Sequence, residues 1–446
     1  MVTISMTLTW YCVLMENRWL TVTEVAQALD ISADTVRRWN KKGLIKAQRN
    51  QYNHRVFNLD EVSRLKNKDR PGQGFRVLTA EPTDIRVVEL FAGAGGMALG
   101  LENAGLKSSL LVEIDKHAVT TLRTNRPDWN VIHGDVADVD YTDLSTSIGS
   151  CDVVVGGFPC QAFSYAGNKQ GFADTRGTLF FEFARSIESL RPKIAIGENV
   201  RGLLRHDHGR TLKTMVKVLQ DLGYNVAYHV LRAQYLDVAQ KRERLIIVAV
   251  RADCDIPALF PKEKDYVVTL GEALDGVPDS PGQTYSAWKH DVLALVPPGG
   301  YWRDLPDDVQ RTYMKKSYHL SGGKTGMARR LSFDEPSLTL TCSPAQKQTE
   351  RCHPSETRPL TVREYARIQS FPDSWAFSGS LSAQYKQIGN AVPVNLAFYV
   401  GRAITAMLTK QTTDAMIHKP FVQRIYHQAN HQADNIHQKS EAIPLF

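Results

Sequence analysis

The sequence runs to 446 residues, 43% hydrophobic and 23% charged, which suits two to four globular domains and excludes a fibrous or wholly disordered chain. A formal net charge of +7 permits a polyanionic partner such as nucleic acid without requiring one. The six cysteines (Cys12, Cys151, Cys160, Cys254, Cys342 and Cys352) include no C-x-x-C pair, which argues against a zinc site or disulfide scaffold and for a reducing cytosol. No metal is expected, and no apolar run is long enough to cross a membrane.

Residues 1–14 are mildly apolar, without a basic n-region or a cleavage site, and read as an upstream extension before Met15. Residues 15–68 form a compact unit. EVAQALD places Val25, Ala26 and Leu29 at helical spacing, and Ser32 or Asp34 can cap a second helix, TVRRWNKKGL. QRNQYNHRVFNLD then predicts a polar turn and a short strand, and EVSRLKNK a third helix. Thr35, Arg37, Arg38, Lys41 and Lys42 are expected on exposed faces, with Trp39 packed inward. Helix, turn, helix and wing is a DNA-binding layout. This stretch resembles the MerR-like or excisionase-like winged helix, which implies DNA contacts from Arg37 and Arg38. The alternative is a small helical module for protein contacts.

Residues 69–84, rich in Pro, Gly and Thr, read as a linker. From 85 to 251 strands alternate with helices: IRVVELF, a helix to about 104, SSLLVEID, a helix from about 116, NVIHGDV, CDVVVGGF and KIAIGENV. That rhythm predicts an α/β fold with a parallel sheet and right-handed crossovers. Residues 252–355 break it with Pro and Gly, and 411–446 form a polar tail expected to be disordered. Its His418, His427, His431 and His437 suit a solvated tail better than a metal site.

The segment 87–105, VVELFAGAGGMALGLENAG, is a strand, a glycine turn and a helix. Gly93, Gly95 and Gly96 let a ligand approach the helix N-terminus. The next two strands end in Glu113 and in Asp135-Val136. Carboxylates there can take ribose hydroxyls and an exocyclic amine, so an adenosine-type ligand is expected. Asp135 could equally be a helix cap and Glu113 a surface acid. GGFPCQAFS puts Cys160 at the same carboxyl edge of the sheet, where Glu198 leaves a later strand and QKRER supplies arginines.

FAGAGG (91–96), GGFPCQAFS (156–164), ENV (198–200), QKRER (240–244), RPLTVREYARIQSFPDSW (358–375) and QIGNAVPVNLA (387–397) occur in the order found in cytosine-5 DNA methyltransferases, which the chain resembles from 87 to about 405. The resemblance implies a Rossmann-like, S-adenosyl-L-methionine-dependent catalytic domain at 85–251, completed by 356–410. It makes 252–355 a small irregular target-recognition domain.

It implies that Cys160 is the nucleophile on cytosine C6, that Glu198 contacts N3 and the exocyclic amine, and that Arg244 contacts the O2 region. Gln161 and Arg242 are expected in support, with Arg242 on that site or on the DNA backbone. Phe91, Gly93, Gly95, Gly96, Glu113, Asp135, Val136, Pro159 and Asn390 match the cofactor pocket. Ser164, Gln240, Arg329, Arg330, Gln346 and Lys347 are candidate DNA contacts. The implied reaction is C5 methylation of a flipped cytosine in a short double-stranded site, as in a restriction-modification system, with the winged helix controlling an operator of its own. The alternatives are the same chemistry on transfer RNA and a binding-only regulator. Oligomeric state stays open.

Overall fold

The computed structural model describes residues 19–29, 31–41, 45–50, 53–58, 62, 75–142, 149–159, 179–322 and 324–424. The N-terminal unit comprises β1 (Trp19–Thr21), α1 (Val22–Leu29), α2 (Ala33–Lys41), β2 (Ala47–Arg49) and β3 (Arg55–Asn58). β3 lies between β1 and β2 and is antiparallel to both. Leu20, Val25, Ala26, Val36, Ile45, Phe57 and Val62 make its core.

A reciprocal cap opens α1, with the Thr21 N–H donating to Glu24 Oε2 at 2.7 Å and the Glu24 N–H to Thr21 Oγ1 at 3.3 Å. Ser32 caps α2 by accepting from the Thr35 N–H at 3.1 Å, and the two hydroxyls lie 2.9 Å apart. Thr35, expected outside, is therefore buried. The stretch read as a turn and one strand is a β2–β3 hairpin. Apart from Val62, the expected third helix lies outside the described residues, as does Lys42.

The main body begins with β4 (Arg86–Leu90), α3 (Gly96–Asn103), β5 (Lys107–Glu113), α4 (Lys116–Asn125) and β6 (Val131–His133). It continues with β7 (Val153–Gly156), α5 (Leu179–Leu190), β8 (Ile194–Val200), α6 (Arg210–Asp221), β9 (Tyr224–Arg232), β10 (Gln240–Lys241) and β11 (Glu243–Arg251). Seven strands form one sheet in the order β6-β5-β4-β7-β8-β11-β9. The first five are parallel, but β11 runs antiparallel to both β8 and β9. The expectation of a wholly parallel sheet is corrected there. β9 and β11 are consecutive long strands joined without a crossover helix, and such a pair returns antiparallel. The chain reverses direction across the sheet between β4 and β7, and this switch point opens a crevice at their carboxyl ends.

The remaining elements are β12 (Leu259–Pro261), α7 (Leu270–Leu274), α8 (Ala287–Ala294), α9 (Asp307–Met314), β13 (Ser337–Leu338), α10 (Val362–Ile368), α11 (Leu381–Asn390), α12 (Val394–Thr409) and β14 (Met416–His418). α8 and α9 surround a separate apolar cluster of Val292, Leu293, Val296, Trp302, Leu305, Tyr313, Met314 and Met327. This cluster falls within the stretch 252–355 expected as a small irregular domain, but the first residues of that stretch pack elsewhere. Ile256, Ala258, Leu259 and Phe260 belong to the core beneath the sheet.

The tail is corrected too. β12 pairs antiparallel with β14, and the Val422 N–H donates to Val226 O at 2.7 Å, so residues to 424 are part of the body. His427, His431 and His437 lie outside the described residues.

α12 packs against α3, roughly 300 residues earlier in the chain, at a close spacing that glycine makes possible. A Cβ on Gly100 would stand 2.4 Å from Ala397 Cβ, and one on Gly401 would stand 2.6 Å from Ala104 Cβ. The stretch Leu381–Thr409 is apolar enough to cross a membrane by composition, but it is two helices broken at 391–393 and mostly buried.

Candidate active site

The glycine turn after β4 is held by an acid from the next strand. Glu113 accepts from the Gly93 N–H at 2.7 Å and from the Asp115 N–H at 2.8 Å. Phe91 and Gly93 both take positive φ, 60° and 54°, and a side chain on Gly93 would face open space. Gly95 (φ 84°) has no room for one, since a Cβ would stand 2.7 Å from Leu122 Cδ2 and 3.1 Å from the Trp375 ring. At Gly96 a Cβ would stand 2.2 Å from Val392 O. The glycine turn and the 390–392 loop are thus in direct contact, although the sequence separates them widely.

Asp135 caps the short 3-10 turn Val136–Asp138 by accepting from the Ala137 N–H at 3.0 Å, so its cap reading holds for one oxygen. Val136 is buried. Arg185, which the sequence reading missed, donates to Val136 O and Val139 O, both at 2.8 Å, and fixes this turn from α5.

Two further residues escaped notice. Ile114 is 63% exposed immediately after Glu113, an apolar side chain just past the carboxyl end of β5. Glu89 is buried at the end of β4 with Oε2 unpartnered, and burial together with the Glu113 charge holds its carboxyl well above the usual range. The open glycine turn and the Glu113 carboxylate that holds it fit a ligand that bears hydroxyls, as S-adenosylmethionine does.

On the other side of the switch point, β8 and β11 pair with Arg244 opposite Val200 and Ile246 opposite Glu198. Arg244 Nε lies 2.6 Å from Glu198 Oε1, and both side chains are 11% exposed. Burial raises the Glu198 carboxyl above its usual value, against the opposing pull of Arg244 and Arg242. Burial also lowers the Arg244 guanidinium, which Glu198 partly restores.

A Cβ on Gly157 would stand 3.5 Å from Glu198 Oε2, so the carboxylate lies against the turn that leads to Cys160. Asn199 Nδ2 donates to Phe158 O at 2.9 Å, which anchors that turn to β8. Pro159 is exposed just beyond it. Cys160, Gln161 and Ser164 lie outside the described residues.

Three expected contacts turn inward. Gln240 is fully buried, with Nε2 donating to Gln369 Oε1 and Oε1 accepting from the Leu340 N–H, both at 2.9 Å. Arg242, 2% exposed, donates to Leu340 O at 3.3 Å, Gly389 O at 3.1 Å and Ala391 O at 3.0 Å, and burial pushes its guanidinium down to about 9. It stitches the 340 segment to the 390 loop rather than reaching substrate or DNA backbone. Arg330 donates to the carbonyls of Val296, Leu293, His353 and Glu356 and to Thr357 Oγ1, at 2.7–3.0 Å. A buried cation of this kind satisfies carbonyls of an irregular lobe and is withdrawn from DNA.

Arg329 is mostly buried and lies 3.5 Å from Glu335. Lys347 is half-buried, donates to Tyr313 O at 2.5 Å and sits 4.7 Å over the Tyr313 ring. Gln346 is exposed in an open groove with Gln283, Thr284, Ser343 and Leu381. Asn390 is exposed at the end of α11. On α2, Arg37 is exposed and paired with Asp34, and Arg38 is half-buried. Among the described residues, no group of three His, Cys, Asp or Glu side chains could hold a metal.

The chain also matches known proteins. Residues 85–406 match the model of the family described as C-5 cytosine-specific DNA methylase, and 19–70 match a helix-turn-helix domain. The chain is 57% identical over 404 residues to Type II methyltransferase M.Eco47II of Escherichia coli, covering 87% of this chain and 96% of that protein. It is 51% identical over 404 residues to Type II methyltransferase M.PspPI of Psychrobacter sp. (strain TA137), with the same coverage. A solved structure described as a DNA modification methyltransferase encoded within an E. coli prophage aligns with TM-score 0.55 at 24% identity, over 73% of this chain and all of that one, and speaks to the fold alone.

Proposed function

The chain belongs to the C-5 cytosine-specific DNA methylases, and from that premise we propose that it methylates C5 of a cytosine within a short double-stranded site, as the modification enzyme of a restriction-modification system. One observation carries the assignment of roles. The buried Glu198–Arg244 pair lies against the turn leading to Cys160, across the switch point from the glycine turn and Glu113.

The target base is flipped into this crevice at a cost of about a few kcal/mol. Cys160 adds to C6. Glu198 donates a hydrogen bond or its proton at N3, and Arg244 holds the O2 side. Phe91, Gly93, Gly95, Gly96, Glu113, Asp135, Val136, Pro159 and Asn390 hold S-adenosylmethionine. When bound, it supplies an electrophilic methyl group on a sulfonium. Of the recognition lobe's candidates, Gln346 alone stands free toward an open groove and is retained as a DNA contact, and Ser164 is retained with it.

Tritiated S-adenosylmethionine tests the reading on duplex DNA and on transfer RNA in parallel. Counts confined to DNA and mapped to C5 of cytosine in one short motif are expected. Counts on transfer RNA alone would overturn it.

We infer a second role for the N-terminal unit, because α2 exposes Arg37 on a unit that has its own core. It binds an operator ahead of its own coding sequence and limits its own synthesis. Footprinting with the full chain should protect a segment of that DNA, and Arg37→Ala should remove the protection. An unprotected upstream region would retire the idea.

A further inference from the structure

The 337–343 segment, which lies between parts of the chain that build the recognition lobe's apolar cluster, is fastened to the stretch that carries Asn390. β13 runs parallel to β10, Arg242 bridges Leu340 O to Gly389 O and Ala391 O, and Gly389 is the residue that admits the close approach. A Cβ there would stand 2.3 Å from Thr341 O and 2.9 Å from Cys342 N. At the end of this fastening the Cys342 thiol, exposed and free, donates to Asn390 Oδ1 at 3.1 Å.

We propose that Cys342 is a positioning residue of the cofactor pocket, acting through Asn390. The inference rests on the reading that Asn390 lines that pocket. An exposed carboxamide can present either end, and a donor held against its oxygen selects one. With Oδ1 engaged by the thiol, Asn390 offers its two N–H groups outward, so it takes an acceptor oxygen of the cofactor, carboxylate or hydroxyl. Without the thiol the amide turns freely and loses part of its affinity. The contact also joins a segment of the recognition stretch to a proposed cofactor ligand, through one side chain and no intervening element.

The full-length chain and S-adenosylmethionine, without DNA, provide the test by calorimetry. Cys342→Ala should weaken cofactor binding by about three- to tenfold, the scale of one hydrogen bond. Cys342→Ser keeps a donor and should stay within about twofold of the parent. Adding Cys342→Ala to Asn390→Ala should produce no further loss, since the thiol then has nothing to aim. An unchanged dissociation constant in Cys342→Ala overturns the proposal, and so does full additivity of the two substitutions. If Asn390→Ala itself leaves binding unchanged, the placement of Asn390 in the pocket fails, and that result is distinguishable from the other two.

Discussion

Cys160→Ala is expected to lower methyl transfer to duplex DNA by at least about a thousandfold, while the protein still binds the DNA. C5 of cytosine is a poor nucleophile. A thiolate adding at C6 forms a C–S bond and turns the ring into an enamine whose C5 can take a methyl cation equivalent. Loss of the C5 proton then expels the sulfur and restores both the aromatic ring and the thiolate. Alanine supplies no atom for the first bond, so no residual route of comparable speed remains. The expectation rests on chemistry and on the anchoring of Phe158 by Asn199, which fixes where the chain leads toward Cys160. Parallel transfer assays and gel shifts decide it. Equal transfer by both proteins would end the covalent mechanism.

Glu198→Gln should lower kcat by about 10²–10⁴-fold, with little change in affinity for DNA. The amide keeps the shape and a donor but cannot pass a proton to N3. The pH profile carries the more specific signature. Burial raises the Glu198 carboxyl above its ordinary value, so the protonated form persists at pH values where a free glutamate is ionised. A rate that depends on this proton is full below the raised value and falls as pH climbs through it. The same sign applies to folding. The advantage of the neutral buried acid is present at low pH and is lost as the group ionises in place. The glutamine variant should lose that alkaline limb. Parent and variant profiles of the same shape, or a kcat within about threefold of the parent, would remove Glu198 from proton transfer.

The strands β4, β5, β7 and β8 could be read from sequence because they are short buried runs closed by glycine or acid turns, and the crevice follows from their exits. Glu198 and Arg244 were within reach for the same reason. The sense of direction was not. β9 mixes Asn225, Tyr228 and His229 with apolar residues and leaves no clean period, so the antiparallel return of β11 had no signal. Arginine and glutamine types do not say which way they face. Gln240 sits in a two-residue strand and Arg330 in an aperiodic stretch, so nothing local distinguished a carbonyl clamp from a DNA contact. The Cys342–Asn390 contact joins residues 48 apart and exists only after two lobes have packed.

The seam between α3 and α12 has a temporal side. Its glycine contacts join the first helix of the catalytic sheet to a helix made roughly 300 residues later, and the 390–392 loop closes the wall behind Gly96. At about 5–20 residues per second, the nascent chain waits roughly 15–60 s between exposing the glycine turn and receiving its partner. Through that interval the apolar flank of α3 has no cover and the cofactor crevice lacks one side. A product cut short before α12 therefore lacks that wall, and the crevice is complete only in molecules made past residue 409. Chaperone dependence should concentrate in the same window, before α12 docks.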